Sequence, residues 1–228
     1  MYWTGARAGR SESRSSVHGG VVFFGLILFV PAGTFAYWQA WVFIAVFTFV
    51  TTVPNVYLAI NDPAALERRM RAGQETRPVQ RVLIVALFLL MPAVMAFCAL
   101  DHRFGWSPVP AAATVCGDVL VLGGLTMAMA VILQNRYAAA NIAVDSGQQV
   151  ISTGLYAVVR HPMYTGAMIM AVGTPMALDS WWGLAGIVPV VAVFVVRILD
   201  EEKALVDDLD GYREYLRHTR FRLVPHVW

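Results

Sequence analysis

Residues 21–60 decide the class of fold, and they read VVFFGLILFVPAGTFAYWQAWVFIAVFTFVTTVPNVYLAI. This stretch contains no Asp, Glu, Lys or Arg, and it is about twice as long as the roughly 20 residues that a helix needs to cross a membrane. It does not alternate as a barrel strand would, and a helix satisfies every backbone group within the segment. The stretch therefore predicts two transmembrane helices.

The rest of the chain follows the same pattern. Of its 228 residues, 58% are hydrophobic and 14% are charged, whereas soluble domains have about 45–50% and roughly 25%. The first apolar run is longer than the apolar core of a signal peptide, about 7–15 residues, and predicts an uncleaved helix. The chain is predicted to be an all-α, polytopic bundle with about six spans: 19–37, 41–60, 82–100, 109–133, 163–179 and 181–199.

The basic residues predict the orientation. If the amino terminus starts on one side, 16 of the 17 Lys and Arg residues fall on that side, and Arg103 alone falls on the other. The positive-inside rule makes the crowded side cytoplasmic, together with both termini and the polar connections. The turns on the far side carry an interfacial belt of tryptophans: Trp38, Trp41, Trp106, Trp181 and Trp182. The net charge of +2 indicates no nucleic-acid partner.

Two further helices are expected on the cytoplasmic side. Asp62 is a good N-cap, and Pro63 suits the first helical position, so a short helix should follow them along the membrane. Apolar residues recur at helical spacing beyond the last span, which predicts a separate amphipathic helix from Glu202 to about His218. The final stretch, 220–228, mixes basic and aromatic residues and is expected to anchor there.

Several residues inside the spans are expected to be structural. Cys98 and Cys116 fit small core positions, and Asp118 is expected to pair within the bundle. The adjacent Gly123 and Gly124 are typical of close helix packing. No metal site is predicted, because the histidines lack ligand spacing.

The start of the fifth span is the densest polar region. His161 and Pro162 mark a helix start, whose free N–H groups can bind an anion, and Arg160 adds positive charge there. A capped helix end with a snorkelling arginine is the structural alternative.

The second polar cluster lies at the end of the sixth span. Arg197 and Glu201 are four residues apart and share a helix face, whereas Glu202 points about 100° away. Consecutive acids at the negative end of a helix call for a positive partner. A structural ion pair with Arg160 or Arg136 is one account, and a cationic or hydroxyl-bearing ligand held by Glu202 is the other.

These motifs carry a family resemblance. The order Val-Ile-Ser-Thr-Gly-Leu-Tyr (150–156), Arg-His-Pro-Met-Tyr-Thr-Gly (160–166), Arg197 with Glu201-Glu202, and then Gly211-Tyr212 with Tyr215 resembles the isoprenylcysteine carboxyl methyltransferases and related phospholipid methyltransferases. The resemblance covers about residues 134–228. It implies a catalytic region at 134–228 and a membrane region at 1–133 that could give access to substrate.

The resemblance also implies a cofactor, S-adenosylmethionine, and a lipophilic or prenylated substrate that arrives from the surrounding membrane lipids. Its matching positions imply catalytic roles for Arg160, His161 and Glu201 and substrate contacts for Asn135 and Gln149. Gln149 replaces the histidine of the eukaryotic isoprenylcysteine enzymes, which leaves the substrate open. The implied cofactor residues are Tyr156, Arg160, His161, Pro162, Tyr164, Arg197, Glu201 and Glu202.

Four functions stay open at this point. Carboxyl O-methylation of a lipophilic molecule, such as a prenylated cysteine, leads. N-methylation of a phospholipid amine is the rival within the same family. A membrane reductase of the sterol type and a scaffold without enzymatic activity are the alternatives from other classes.

Overall fold

The computed structural model describes residues 5–61, 77–134 and 149–228, with the first fourteen of these described by their backbone alone. The described residues contain no strand. Two 3₁₀ turns lie at Gly154–Ala157 and Trp182–Gly186. The α-helices are α1 (Gly5–Ala32), α2 (Trp38–Asn61), α3 (Pro78–Phe104), α4 (Ala111–Gln134), α5 (Pro162–Ala177), α6 (Ile187–Asp208) and α7 (Tyr212–His218).

The predicted all-α membrane bundle is confirmed, and six long helices correspond to the six expected spans. By length and composition, α2, α3, α4 and the segment Trp182–Asp208 can each cross a membrane. The apolar part of α1, Gly19–Ala32, is shorter. Helix α5 has 16 residues and is about 24 Å long at 1.5 Å per residue, less than a hydrocarbon core of about 30 Å. The bundle is therefore built from spans of unequal length.

Helices α4 and α5 approach each other almost to backbone contact. A Cβ atom on Gly124 would overlap the carbonyl of Gly166, and a Cβ on Gly166 would lie 2.6 Å from the carbonyl oxygen of Gly124. Gly117 and Gly173 repeat the arrangement seven residues away. The packing role predicted for Gly124 is confirmed. Gly123 differs, because a Cβ atom there would meet nothing within 4 Å.

A polar network ties the helices together at the end that carries Trp38, Trp106 and Trp181, called here the tryptophan end. His102 Nδ1 lies 2.8 Å from Asp179 Oδ2, and its ring stacks on Tyr37 at 3.9 Å. Asp101 accepts hydrogen bonds from the hydroxyls of two serines in the connecting turns, Ser107 and Ser180. These contacts link the start of α2 to the ends of α3 and α5, although the sequence indicated no role for His102.

The opposite end is called the basic end, because Arg77, Arg160 and Arg222 lie there against residues of α6. Arg77 Nη2 is 3.2 Å from Asp200 Oδ1, and the other two arginines pair with Glu202. The tryptophans of the predicted belt thus lie at the end of the helices opposite to Arg77, Arg160 and Arg222. Which end faces the cytoplasm stays a prediction.

The expected break between the sixth span and the tail helix is misplaced. Helix α6 continues without interruption through Glu202 to Asp208, because no Gly or Pro interrupts residues 190–208. The chain turns instead at Gly211, whose φ of 82° is a left-handed conformation that glycine adopts at low cost. The tail helix is reduced to the seven residues of α7. Glu201 and Glu202 consequently lie inside a helix rather than at its negative end.

Three other expectations can be compared with the structure. Cys98 is buried as expected, but Cys116 is exposed on the bundle surface, so its assignment to the core is wrong. Asp118 is 8% exposed, and its Oδ1 atom has no hydrogen-bond partner among the described residues, so the expected pairing is not seen for this atom. The short helix after Asp62 lies outside the described residues.

Candidate functional site

The site begins where the chain enters α5. Helix α5 starts at Pro162, as the sequence predicted, with His161 at the N-cap position but without a capping hydrogen bond from its side chain. The two residues before Pro162 run alongside the carboxy-terminal tail: Arg160 N–H donates to the carbonyl of Phe221 at 2.9 Å, and His161 N–H donates to that of Arg222 at 3.0 Å. The tail is thereby fixed across the start of α5.

Glu202 is the centre of a buried clasp between three segments. Its Oε1 accepts a hydrogen bond from Arg160 Nη1 at 2.9 Å and lies 3.3 Å from His161 Nε2. Its Oε2 accepts from Arg222 Nε at 2.9 Å. The side chain of Glu202 is 10% exposed, and charge-assisted bonds of this kind are strong where water is excluded. The structural ion pair with Arg160 is therefore present, while Arg136 lies outside the described residues.

Arg160 also holds the tail through its other nitrogens. Its Nε donates to the carbonyl of Thr219 at 2.7 Å and its Nη2 donates to that of Arg220 at 2.9 Å. Thus Arg160, a residue expected to contact the cofactor, donates hydrogen bonds from all three side-chain nitrogens to the protein itself. Its role toward a ligand stays a prediction.

Glu201 faces a different set of atoms. Arg197 Nε donates to the hydroxyl oxygen of Tyr164 at 2.8 Å, and the Tyr164 hydroxyl donates to Glu201 Oε2 at 2.6 Å. Arg197 is 3% exposed and Tyr164 is 7% exposed. Arg197 and Glu201, both on α6, are therefore linked by hydrogen bonds through the hydroxyl of Tyr164 on α5.

Arg197 and Tyr164 also form the polar end of an apolar cavity of about 410 Å³. Apart from these two residues and Thr174, the lining consists of apolar side chains from α1, α2, α3, α5 and α6. An aromatic cluster of Phe24, Phe43 and Phe47 closes one wall, with ring centroids 4.7 to 6.0 Å apart. A cavity of this kind suits a molecule with a long apolar part and a single polar group.

The segment before α5 is held from two sides. Gln134, at the end of α4, donates to the carbonyl of Thr153 at 2.6 Å. The Tyr215 hydroxyl donates to the carbonyl of Tyr156 at 2.7 Å. Burial raises the pKa of Tyr215 to about 12, so its hydroxyl remains a neutral donor near neutral pH. Tyr156 is thus positioned beside α7 and the tail.

The structure brings most of the expected site residues into one region at the basic end. Its members are Tyr156, Arg160, His161, Pro162, Tyr164, Arg197, Glu201 and Glu202. Gln149 is exposed, and Asn135 lies outside the described residues. Sequence reasoning missed the roles of Arg222 and Gln134. It assigned Arg222 to the membrane interface. The adjacent glutamates indicated that positively charged partners were needed, and Arg222 is the third basic residue, after Arg160 and His161, that contacts Glu202.

Comparison with known proteins gives two matches. Residues 112–209 match the family model described as phospholipid methyltransferase. The Delta(14)-sterol reductase of Mus musculus is 29% identical over 94 residues, which cover 38% of this chain and 22% of the reductase. The chain thus spans about a fifth of the length of that relative. The matched region contains the start of α5, Arg197 and the two glutamates, so residues 112–209 are similar to the phospholipid methyltransferases, the family that includes the isoprenylcysteine carboxyl methyltransferases.

Proposed function

We propose that this membrane protein transfers a methyl group from S-adenosylmethionine to the carboxylate of a lipophilic molecule. The observation that carries the proposal is the 410 Å³ apolar cavity whose polar end is formed by Arg197 and Tyr164, next to Glu201 and the clasp around Glu202. The family match to residues 112–209 supports a methyltransferase, and the cavity supports the lipophilic substrate.

The cavity would hold the apolar part of the substrate. Each CH₂ group removed from water contributes about 0.8 kcal/mol, so a long chain could supply much of the binding energy. A hydrocarbon chain that comes from the bilayer is already out of water, so it gains less free energy in this way. The fit of its shape to the cavity then becomes more important. The polar end then fixes the orientation, because Arg197 is the cation that lines the cavity and a carboxylate is its natural partner.

The residues at the basic end fit S-adenosylmethionine in part. Basic side chains there suit its carboxylate, a glutamate suits its hydroxyls or ammonium, and aromatic rings suit its sulfonium. Both carboxylate oxygens of Glu202 are occupied by the basic side chains of the clasp, whereas Glu201 is hydrogen-bonded through Oε2 to Tyr164. Among the described residues no bond to Glu201 Oε1 is found, so we assign the cofactor contact to Glu201 rather than Glu202.

The reaction needs little from the protein beyond binding and orientation. When bound, S-adenosylmethionine supplies an electrophilic methyl group. A substrate carboxylate, with a pKa near 4, is already ionised at neutral pH and needs no general base. Arg197 would hold the carboxylate, Tyr164 would orient Arg197, and the apolar walls would exclude water. Positioning of this kind can contribute up to about 7–11 kcal/mol.

The test is made on purified protein in detergent micelles with isotopically labelled S-adenosylmethionine and an N-acetyl-S-prenyl-cysteine. We expect saturable cofactor binding and a base-labile methyl ester as product. Turnover at saturation should be nearly flat between about pH 6.5 and 8.5, because the carboxylate stays ionised. An amine, with a pKa of about 10, would instead show a rate that rises by up to tenfold per pH unit.

Tyr164→Phe tests the site, because it removes the hydroxyl that joins Arg197 to Glu201 but keeps the ring. It should lower turnover by about tenfold to hundredfold, whereas Tyr57→Phe, an exposed tyrosine on α2, should leave turnover unchanged. A base-stable product with a steep alkaline rise would show that an amine is the substrate. Absence of cofactor binding would refute the methyltransferase proposal.

The reductase alternative has one specific observation in its favour, the match to the mouse sterol reductase. That activity would require a nicotinamide cofactor at the basic end. Oxidation of NADPH by the purified protein in the presence of an unsaturated sterol, without binding of S-adenosylmethionine, would favour the reductase.

A further inference from the structure

We infer that the closed end of the cavity, around Thr174, limits the length of the hydrocarbon chain that the substrate can carry. The inference rests on the proposed function, since it takes the 410 Å³ cavity as the substrate site. It adds an orientation and a specificity-determining residue that neither the family match nor the clasp supplies.

The orientation follows from the position of the lining residues along α5. Tyr164 lies near the start of this helix at the basic end, and Thr174 lies ten residues later near the tryptophan end. At 1.5 Å per residue, the cavity extends about 15 Å along the helix axis. The cavity has a similar length along helix α3, because Ile84 and Met95, eleven residues apart, both line it. A chain with its carboxylate at Arg197 therefore lies roughly parallel to the helices and points toward the tryptophan end.

The far end of the cavity is closed by buried side chains. Thr174 is 1% exposed, Phe43 is 2% exposed and Met95 is 4% exposed. By contrast, Phe23 and Phe88 line the cavity and are strongly exposed on the bundle surface. The cavity thus reaches the apolar surface of the bundle at its side, beside Phe23 and Phe88, and is closed at its end. A chain that enters by the side meets a fixed limit at Thr174.

The chemistry at this limit suits a terminal methyl group. The Thr174 hydroxyl donates to the carbonyl of Met170 at 2.8 Å, within its own helix. The polar atom is therefore satisfied locally, and an apolar chain end leaves no donor unpaired. Because packed interiors yield little to added volume, an extra methylene at this position should be excluded rather than accommodated.

The experiment measures kcat/KM for N-acetyl-S-prenyl-cysteines with two, three and four isoprene units. Thr174→Leu adds volume at the closed end, so the longest accepted chain should lose at least about tenfold in kcat/KM, mainly through KM, while the shortest chain changes by less than about threefold. Val172→Leu is the matched control, because Val172 is an exposed residue of the same helix, and it should leave the order of preference unchanged.

Met95→Ala should have the opposite effect on cavity length, and it provides a second test if Thr174→Leu does not fold. It lengthens the cavity, so the preference should shift toward the longer chain. An equal loss for all three chain lengths in Thr174→Leu, or an unchanged order in Met95→Ala, would overturn the inference while cofactor binding and activity remain. If the wild-type protein binds no S-adenosylmethionine and methylates none of the series, the proposed function fails instead.

Discussion

Glu201 and Glu202 are adjacent in the chain, but their side chains contact different segments. Glu202 joins α6 to Arg160, His161 and the tail through buried bonds, whereas Glu201 contacts Tyr164 beside the cavity. We expect Glu202→Gln to weaken the fold by about 3 kcal/mol, because removal of one charge from a buried cluster leaves its partners uncompensated. The measurements are the unfolding temperature in detergent and protease cleavage of the tail.

Glu201→Gln should show the reverse pattern, with a fold close to that of the wild-type protein and weaker binding of S-adenosylmethionine. Glu214→Gln is the matched control. Glu214 forms exposed pairs with Arg217 and His218, and such pairs contribute about 0–1 kcal/mol. Equal stability of Glu202→Gln and Glu214→Gln would contradict the assignment of Glu202 to the clasp.

At the scale of helices, the pairing of α4 with α5 depends on which side of α4 a residue occupies. Gly124→Ala would place a methyl group against the carbonyl of Gly166. Because both partners are backbone, neither can move cheaply, and we expect a loss of about 1–3 kcal/mol or more. Gly123→Ala points into open space and should be neutral or stabilising by about 0.5–1 kcal/mol.

The comparison of the two alanine variants is made by thermal unfolding in one detergent. It uses the same substitution on adjacent residues of one helix, so differences in helix propensity cancel. Similar unfolding temperatures for the two variants would show that the α4–α5 contact is looser than the structure indicates.

For the whole molecule, the testable feature is the orientation in the membrane. The basic end carries the clasp and the proposed cofactor site, and the basic residues predict that this end is cytoplasmic. Cysteine placed at Arg217, which is exposed on α7, should react with an impermeant maleimide only after the cells are opened. Cysteine placed at Trp106, which is exposed at the tryptophan end, should react in intact cells.

The wild-type protein serves as the blank for both labelling reactions, since Cys98 and Cys116 lie within helices α3 and α4. Labelling of the Arg217 variant in intact cells would reverse the predicted orientation. It would leave the helix bundle and the site geometry unaffected.

Much of this architecture could be predicted from local signals. Apolar runs placed the long helices, and His161-Pro162 placed the start of α5. The residues of the family motifs lie together at one end of the bundle. The end of α6 was missed because apolar spacing beyond Glu202 fits both a continued helix and a new one.

The amino-acid sequence by itself determined that the chain is a membrane bundle and that its polar motifs resemble those of a methyltransferase family, because hydrophobic length and motif order are properties of the chain alone. Only the tertiary structure decided that Glu202 pairs with Arg160 and Arg222, that Tyr164 stands between Arg197 and Glu201, and that an apolar cavity ends at Arg197. Those features depend on how helices distant in the chain pack together, and adjacent residues such as Glu201 and Glu202 differ only in the partner that each helix face meets.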